Sequence, residues 1–264
     1  MQQLRTWLTF GVLLLLGCEE LTRQEAQEAV DELQLSAQTT ALTANSIELG
    51  TSFTLGAAVE TAAVELRDFI RGQLPCATLS LQGATLSIDY GSTGSGCTYR
   101  GVAYFGQHAI TLERADANET VVQHRWTAMR NSVVQVDGEA TVRWQREAQT
   151  RSVSHQLTWT RLADGVQVEG RGERSQQALP DGIEVGFQVD GDRAWTSVRG
   201  DWQLDIEGVQ MRWTDPVPQA GRYTLTTPAD KQLSVGFTRL DASSIEVIVT
   251  NARREHRFQV RSAP

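Results

Sequence analysis

The chain has 264 residues, of which 40% are hydrophobic, and a formal net charge of −8 at pH 7. This apolar content is enough for a folded core and excludes the intrinsically disordered class. The acidic balance argues against nucleic acid as a partner and against adhesion to anionic lipid. The length suits one large all-β domain or two smaller ones.

The first residues have the pattern of a secretory leader. Arg5 supplies a positive charge, and an apolar run over residues 7–16 follows it. That run is too short to span a hydrocarbon core of roughly 30 Å as a stable helix, but it suits a signal peptide. It ends in the sequence Leu-Leu-Gly-Cys at positions 15–18.

This ending resembles the lipobox of bacterial lipoproteins, in which a signal peptidase cuts before the cysteine. The resemblance implies a signal peptide over residues 1–17. It also implies a mature chain that begins at Cys18 and carries a diacylglyceryl group and an amide-linked acyl chain there. The alternative is an ordinary leader that happens to contain a cysteine. Because two or more acyl chains give stable attachment to a bilayer, we expect the membrane to be a partner through lipid on Cys18.

The residue after the cysteine bears on localisation within the cell envelope. An aspartate there would favour retention in the inner membrane in some bacteria. Glu19 occupies that position, so the sequence favours the outer membrane over the inner one. The folded part then needs no membrane-binding surface of its own for attachment.

Two cysteines, Cys76 and Cys97, are left once Cys18 is lipidated. In an oxidising compartment, pairing is the expected outcome. A metal pair and a reactive thiol are the alternatives, but neither cysteine has a second cysteine or a histidine at ligand spacing. We therefore expect a disulfide, which closes a loop of roughly 20 residues and contributes on the order of 3 kcal/mol.

Two helices are predicted in the first part of the mature chain. Thr22 and Glu25 have capping-box spacing, and apolar residues follow at helical intervals, namely Ala26, Ala29, Val30, Leu33 and Ala37. A second helix is predicted over residues 56–73 and ends before Pro75. Its apolar stripe, which we expect to face the core, comprises Leu55, Val59, Ala62, Ala63, Leu66, Phe69 and Ile70.

From Cys76 onward the hydrophobic period becomes two, which is typical of half-buried antiparallel strands. In the segment 132–147 one face holds Val134, Val136, Gly138, Ala140, Val142 and Trp144. The flanking segments place on one face Val122, His124, Trp126 and Ala128, and then Val153, His155, Leu157 and Trp159. Further strands are predicted near 222–227, 232–239, 244–250 and 255–261.

Roughly a dozen antiparallel strands cannot lie in a flat open sheet, because their twist accumulates. We therefore predict a mainly β fold, a large curved antiparallel meander or barrel-like sheet. An N-terminal helical segment, in particular the helix over 56–73, packs on its apolar concave face. The predicted layout is a signal peptide over 1–17, a lipidated N-terminus and helical segment over 18–75, and an antiparallel β domain over 76–264.

Residue pairs that contain glycine separate several of the predicted strands. Asp164-Gly165, Asp190-Gly191 and Glu207-Gly208 are predicted to be hairpin turns. The sequence Gln-Val-Asp-Gly occurs at 135–138 and 188–191, with a Gln-Val-Glu-Gly variant at 167–170. Because the spacing is unequal, we interpret these as recurring strand-and-turn composition rather than as a repeat protein.

Sequence motifs for catalysis are absent from the chain. It contains no Gly-x-Ser-x-Gly, His-Glu-x-x-His, Walker A, EF-hand or Ser-x-x-Lys sequence. The aspartates that resemble calcium ligands are explained by turn chemistry or by solvated strand positions; they are Asp190, Asp192, Asp201 and Asp205. The sequence thus predicts a non-enzymatic protein without cofactor or metal.

One face of the predicted sheet carries aromatic and imidazole side chains. If neighbouring strands align, the candidate ligand-lining residues are His124, Trp126, Trp144, His155 and Trp159. One interpretation is a binding site that stacks a sugar or encloses an acyl chain. The other is a packed core with hydrogen-bonded histidines, and the sequence favours this one.

A second resemblance rests on the segments 84–91 and 96–101. They combine an alternating strand, a glycine-rich turn with a cysteine, and an aromatic strand entry. The layout resembles uncharacterised bacterial envelope lipoproteins in which a helical segment leads into a β-rich domain, a group that implies no functional residues. We expect a membrane-anchored envelope lipoprotein with a structural or protein-binding role and an envelope protein as partner. The alternative is a carrier or binder of a hydrophobic or glycan ligand inside the curved sheet.

Overall fold

The segments of alternating polarity form one antiparallel sheet of 14 strands in the computed structural model. The structure describes residues 20–51 and 59–261, apart from 93, 95, 100–101, 115–117, 146, 149, 213–214 and 242–243. The first seven strands are β1 (Thr78–Gln82), β2 (Thr85–Asp89), β3 (Cys97–Tyr99), β4 (Val102–Arg114), β5 (Glu119–Arg130), β6 (Val134–Gln145) and β7 (Thr150–Arg161). The others are β8 (Gln167–Leu179), β9 (Gly182–Ser197), β10 (Gly200–Arg212), β11 (Asp215–Thr226), β12 (Gln232–Arg239), β13 (Ser244–Thr250) and β14 (Glu255–Arg261).

The sheet is a meander in which strand order follows chain order. Each strand pairs with the next, except that β3 pairs with β4 beside β2. The sheet curves without closing, so β1 and β14 are its edges. The predicted fold class is confirmed, and so is the inward face of β6, where Val134, Val136 and Val142 are buried. The predicted turn at Asp164-Gly165 lies between β7 and β8.

Two helices precede the sheet, α1 (Arg23–Thr51) and α2 (Val59–Gln73). The predicted capping box begins α1, because Thr22 N donates to Glu25 Oε2 at 2.8 Å and Glu25 N donates to Thr22 Oγ1 at 3.2 Å. The predicted second helix corresponds to α2, and residues 56–58 lie outside the described residues. Its stripe contains Leu66 and Ile70, both fully buried, and it contacts β1, β2 and β4.

The longer helix, α1, occupies most of the concave face of the sheet, where the sequence had placed the helix over residues 56–73. Along its length α1 reaches β5 through Ser46, β9 through Glu32, and the β11–β12 connection through Glu25. At about 1.5 Å per residue a helix of this length bridges widely separated strands of a curved sheet. The concave side of the curved sheet is therefore occupied mainly by α1.

Two of the predicted turns lie inside long strands, on opposite sides of one β-bulge. Glu207 and Gly208 form the bulge in β10, where the pairing with β9 shifts register, and Asp190 lies opposite them within β9, next to Gly191. The prediction of hairpins there was wrong. Residue pairs that allow a positive φ in a turn suit a bulge equally well, and Gly208 has a φ of 57°.

The Gln-Val-Asp-Gly sequences at 135–138 and 188–191 each lie opposite a bulge of the neighbouring strand, in β5 and in β10 respectively. In both copies the aspartate carboxylate accepts the side-chain amide of the motif's own glutamine, at 3.1 and 3.0 Å. It also accepts a backbone amide from the bulge of the neighbouring strand, that of Ala128 at 2.7 Å and that of Gly208 at 2.6 Å. Because bulges bend a strand and increase its twist, the recurring motif helps to set the curvature of the sheet.

The bulge in β5 also changes which of its residues face inward. Strand alternation alone places Ala128 beside Trp126 on the inner face, but Ala128 is exposed and Met129 is fully buried. The extra residue of the bulge shifts the alternation by one position. The predicted inward position of Ala128 was therefore wrong.

A disulfide joins Cys76, just after α2, to Cys97 at the start of β3. Their Cα atoms are 5.5 Å apart and the cysteines are separated by 21 positions. The predicted pairing is confirmed. Closing a loop of this length stabilises the fold by about 3 kcal/mol, and it holds the end of α2 against the edge of the sheet.

The predicted domain boundary at residues 75 and 76 falls between the end of α2 at Gln73 and the start of β1 at Thr78. Residues 1–19, which include the predicted leader and Cys18, lie outside the described residues. Within the described ranges, no helix is both long and apolar enough to cross a membrane.

Candidate functional site

The face of α1 that packs into the curved sheet is polar over much of its length. Its buried polar residues recur at helical spacing and are Glu32, Ser36, Thr39, Thr43 and Ser46. Thr39, Thr43 and Ser46 donate their hydroxyl groups to carbonyls of the preceding turn, so the helix itself satisfies these donors. Ala37, which the sequence placed on the apolar stripe, is exposed. The buried face of this part of α1 is made by the hydroxyl-bearing residues instead.

Glu32 joins α1 to the end of the β9–β10 hairpin. Its carboxylate, only 4% exposed, accepts the indole N–H of Trp195 at 3.1 Å and the hydroxyl of Ser197 at 3.0 Å. Arg199 Nη1 donates to the same carboxylate at 3.0 Å. A buried carboxylate needs such a set of donors to offset its lost hydration.

Two further side chains of the sheet, Trp126 and Arg193, hydrogen-bond to the middle and the C-terminal part of α1. Trp126 Nε1 donates to Ser46 Oγ at 3.0 Å. Arg193 donates to the hydroxyl of Thr40 through a short contact and to Ser36 Oγ at 3.5 Å. The helix is thus held by hydrogen bonds with side chains from β5 and β9, in addition to apolar packing.

A small cavity lies between α1 and the sheet at this point. Its volume is about 20 Å³, which is room for about one water-sized occupant. It is lined by Ser36, Thr39, Thr40, Thr43, Ile47, Trp126, Val153, His155, Leu157, Trp159, Arg171, Arg174, Arg193, Ala194 and Trp195.

Two glycines of β8 make room for the aromatic walls of this cavity. A Cβ on Gly170 would lie 2.4 Å from the ring of Trp159, and a Cβ on Gly172 would lie 2.7 Å from Cε1 of His155. Because both distances are below any normal contact, a side chain at either position would displace the neighbouring ring. The two glycines therefore leave space for the rings of Trp159 and His155, from β7, beside the backbone of β8.

The cavity is cationic. Arg171, Arg174 and Arg193 line it, and no acidic side chain is among the described residues of its wall. Desolvation by burial lowers the pKa of the Arg193 guanidinium. Arg193 Nε and Trp159 Nε1 are buried and have no hydrogen-bond partner among the described residues. Buried donors are normally paired, so these two nitrogens identify the cavity as the candidate site.

The structure brings together three of the five predicted ligand-lining residues. Trp126, His155 and Trp159 all line the cavity, whereas His124 and Trp144 are not among its lining residues. His124 lies behind Trp126, with the two rings stacked 5.8 Å apart. Trp144 is on the predicted face but is half-buried near the end of β6.

Sequence reasoning missed the helical hydroxyls and the arginines of the cavity. The hydroxyls of Ser36, Thr39, Thr40 and Thr43 recur at intervals of three or four residues, a signal for one helix face. The arginines gave no comparable signal, because an arginine at an inward strand position has the same alternation as one facing water.

A pair of buried histidines, His108 and His124, lies beside the cavity. His108 Nε2 and His124 Nδ1 are 2.9 Å apart, and Tyr90 Oη is 3.5 Å from His108 Nδ1. Both imidazoles are buried and 1% exposed. Desolvation by burial lowers the pKa of His124 to about 3 and lowers that of His108 well below its usual value. Both rings are therefore neutral at pH 7, with one donating to the other.

We predict that acid destabilises the protein below about pH 6.5. Desolvation by burial and the neighbouring Arg193 and Arg174 lower the pKa of His155 to about 3, as burial does for His124. In the unfolded chain these imidazoles regain a pKa of about 6.5. As the pH falls from about 6.5 towards 3, the unfolded state binds protons that the folded state does not, so the free energy of unfolding decreases.

Urea unfolding at pH 7 and pH 5 tests this prediction, since most carboxylates remain ionised in that interval. The variant His155→Gln should show a smaller difference between the two pH values than the unmodified chain. A free energy of unfolding that is unchanged between pH 7 and pH 5 would contradict the prediction.

A separate surface groove of about 460 Å³ runs between the middle of α1 and two hairpins. Its lining residues are Asp31, Gln34, Leu35, Gln38, Ser132, Val133, Arg161, Leu162 and Ala163. It is open to solvent and mixes apolar and polar side chains. Among the described residues, no group of three or more His, Cys, Asp or Glu side chains is placed to hold a metal ion.

Comparison with known proteins returned no match, either to a protein-family model, to a curated protein or to a solved structure.

Proposed function

We propose that this protein is an envelope lipoprotein, anchored through lipid on Cys18, with a structural or protein-binding role and no enzymatic activity. The sequence over residues 1–18 supports the anchor, through its short apolar run and the Leu-Leu-Gly-Cys ending. Glu19 supports the outer membrane as its location. The folded domain supports a role that does not depend on enclosing a large ligand.

One observation carries the proposal for the folded domain. The chain's own helix α1 occupies the concave face of the sheet, and the cavity that remains beneath it has a volume of about 20 Å³. Sites for drug-sized ligands are roughly 300–1,000 Å³. A hydrophobic or glycan carrier would need α1 to leave, and with it the hydrogen bonds of Glu32, Ser46 and Thr40.

We predict that Cys18→Ser abolishes lipidation. Serine has no thiol to accept the diacylglyceryl group, so the variant accumulates as an uncleaved or mis-cleaved precursor. Metabolic labelling with a fatty-acid analogue measures this outcome. Gly17→Ala is the matched control, because it keeps a small residue before the cysteine and should keep the label. Undiminished label on Cys18→Ser would overturn the proposed anchor.

A second candidate function, the binding of a small anion, is favoured by the unpaired donors of the cavity. Arg193 hydrogen-bonds only to hydroxyl groups of α1 among the described residues, and its Nε is unpaired, as is Trp159 Nε1. A small anion in the cavity would supply an acceptor for such donors and offset the buried positive charge. The volume of the cavity limits such an anion to about the size of chloride.

Thermal unfolding in sodium chloride and in sodium gluconate at equal ionic strength tests the second candidate. Gluconate is too large for the cavity, so specific binding raises the Tm in chloride alone. The difference should disappear in Arg193→Gln and persist in Arg125→Gln, whose arginine side chain is 72% exposed. Equal Tm values in the two salts, or a difference that persists in Arg193→Gln, would contradict anion binding.

A further inference from the structure

Five hairpin connections lie together at one end of the sheet. Because consecutive antiparallel strands alternate in direction, every second connection of the meander falls at the same end. Residues 131–133, 162–166, 198–199, 227–231 and 251–254 form these connections, after β5, β7, β9, β11 and β13. We refer to this end of the domain as the hairpin rim.

The described chain begins at the hairpin rim and is fixed there by three contacts. Glu20 Oε2 accepts from Arg254 Nε at 3.0 Å. Leu21 is 2% exposed, and its carbonyl oxygen lies 3.1 Å from His256 Nε2. Glu25 accepts from the ammonium group of Lys231 at 2.6 Å. Residues 20–25 are therefore held against the ends of β11–β14.

The proposed lipid attachment site lies very close to this point along the chain. Cys18 precedes Glu20 by two positions. An extended chain spans at most about 3.6 Å per residue, so the Cα atoms of Cys18 and Glu20 are no more than about 7 Å apart. A lipid on Cys18 thus leaves no long tether between the bilayer and the hairpin rim.

The same end carries exposed apolar side chains at its hairpin tips. Val198, between β9 and β10, is 81% exposed, and Leu162, between β7 and β8, is 40% exposed. Clustered apolar surface is typical of a contact with another surface, and these two side chains lie on successive connections of the hairpin rim. Leu240 is 49% exposed but lies between β12 and β13, at the opposite end of the sheet.

The charges of the hairpin rim are largely matched in pairs. Arg161 pairs with Asp164, Arg199 with Glu32, Lys231 with Glu25 and Arg254 with Glu20. Such a surface neither attracts nor repels a bilayer strongly by charge. Its contact with lipid would depend on the anchor and on the apolar tips.

We propose that the hairpin rim faces the bilayer to which Cys18 is anchored and that Val198 and Leu162 enter the interfacial region of that bilayer. This inference rests on the proposed anchor. It gives the domain a fixed orientation, with the β12–β13 end away from the membrane. The occupant of the surface is the lipid bilayer itself.

The test uses the mature, lipidated protein in phosphatidylcholine vesicles that contain nitroxide-labelled lipid. Val198→Cys and Leu240→Cys are each labelled with an environment-sensitive fluorophore, while the Cys76–Cys97 disulfide stays intact. The two positions are matched, since both are exposed aliphatic residues in hairpin connections. We expect several-fold stronger quenching at position 198 than at position 240, with a blue-shifted emission at position 198.

Vesicle flotation separates failure of this inference from failure of the proposed anchor. If the protein floats with the vesicles and the two labels are quenched equally, the orientation is overturned while the anchor stands. If the protein carries no lipid and does not float, the anchor is overturned and the orientation falls with it.

Discussion

Replacing Glu32 by alanine should lower the free energy of unfolding by about 3 kcal/mol. The substitution removes the acceptor of Trp195 Nε1 and of Ser197 Oγ, both in buried residues. A buried donor left without a partner costs about 1–3 kcal/mol. Arg199 also loses its close carboxylate, but its side chain is 35% exposed and water can solvate it. Urea unfolding monitored by tryptophan fluorescence measures the loss.

Asp31→Ala is the matched control for Glu32→Ala. Asp31 is the adjacent acid on α1 and also approaches Arg199, at 3.9 Å, but its side chain is 37% exposed. Exposed ion pairs contribute about 0–1 kcal/mol, so this change should have little effect on stability. Equal losses for the two variants would mean that Glu32 does not dock α1 on the sheet.

Replacing Trp126 by alanine should cost about 3–5 kcal/mol, as large-to-small changes of buried aromatic residues do. The indole is 2% exposed, stacks on His108 at 5.5 Å and donates to Ser46 at 3.0 Å. Urea unfolding of the purified variant measures the effect.

Trp144→Ala is the matched control for Trp126→Ala, because it removes the same side chain from a less buried position. Trp144 lies on the same face of the sheet but is half-buried near the end of β6, so its loss should cost about 1–2 kcal/mol. Sequence alternation alone would give the two tryptophans the same cost. If Trp144→Ala proves as destabilising as Trp126→Ala, the curved sheet is more closed at that end than the structure shows.

The sheet could be predicted from the sequence because its strands pair with their neighbours along the chain. The period of two in residues such as Val134, Val136 and Val142 fixes the inward face locally, and consecutive strands need no long-range information to find their order. The capping box at Thr22 and Glu25 is equally local. These are the elements that sequence reasoning identified correctly.

The docking of α1 and the bulges could not be predicted in the same way. The partners of its buried polar face lie far away in sequence, 80 positions from Ser46 to Trp126 and 163 from Glu32 to Trp195. A polar residue that faces a distant partner has the same periodicity as one that faces water. For Glu207 and Gly208, the chemistry of a turn and that of a bulge are the same, and only the pairing of the strands distinguishes them.

Native mass spectrometry of the full-length protein, extracted from membranes in detergent, tests the central claim most directly. We expect the mass of a chain that begins at Cys18 and carries the diacylglyceryl and acyl groups. We expect no bound molecule of several hundred daltons, because α1 occupies the concave face. A chain that begins elsewhere or carries no lipid would contradict the proposed anchor. A co-purified lipid or glycan bound beside the covalent lipid would contradict the packed interior and favour a carrier.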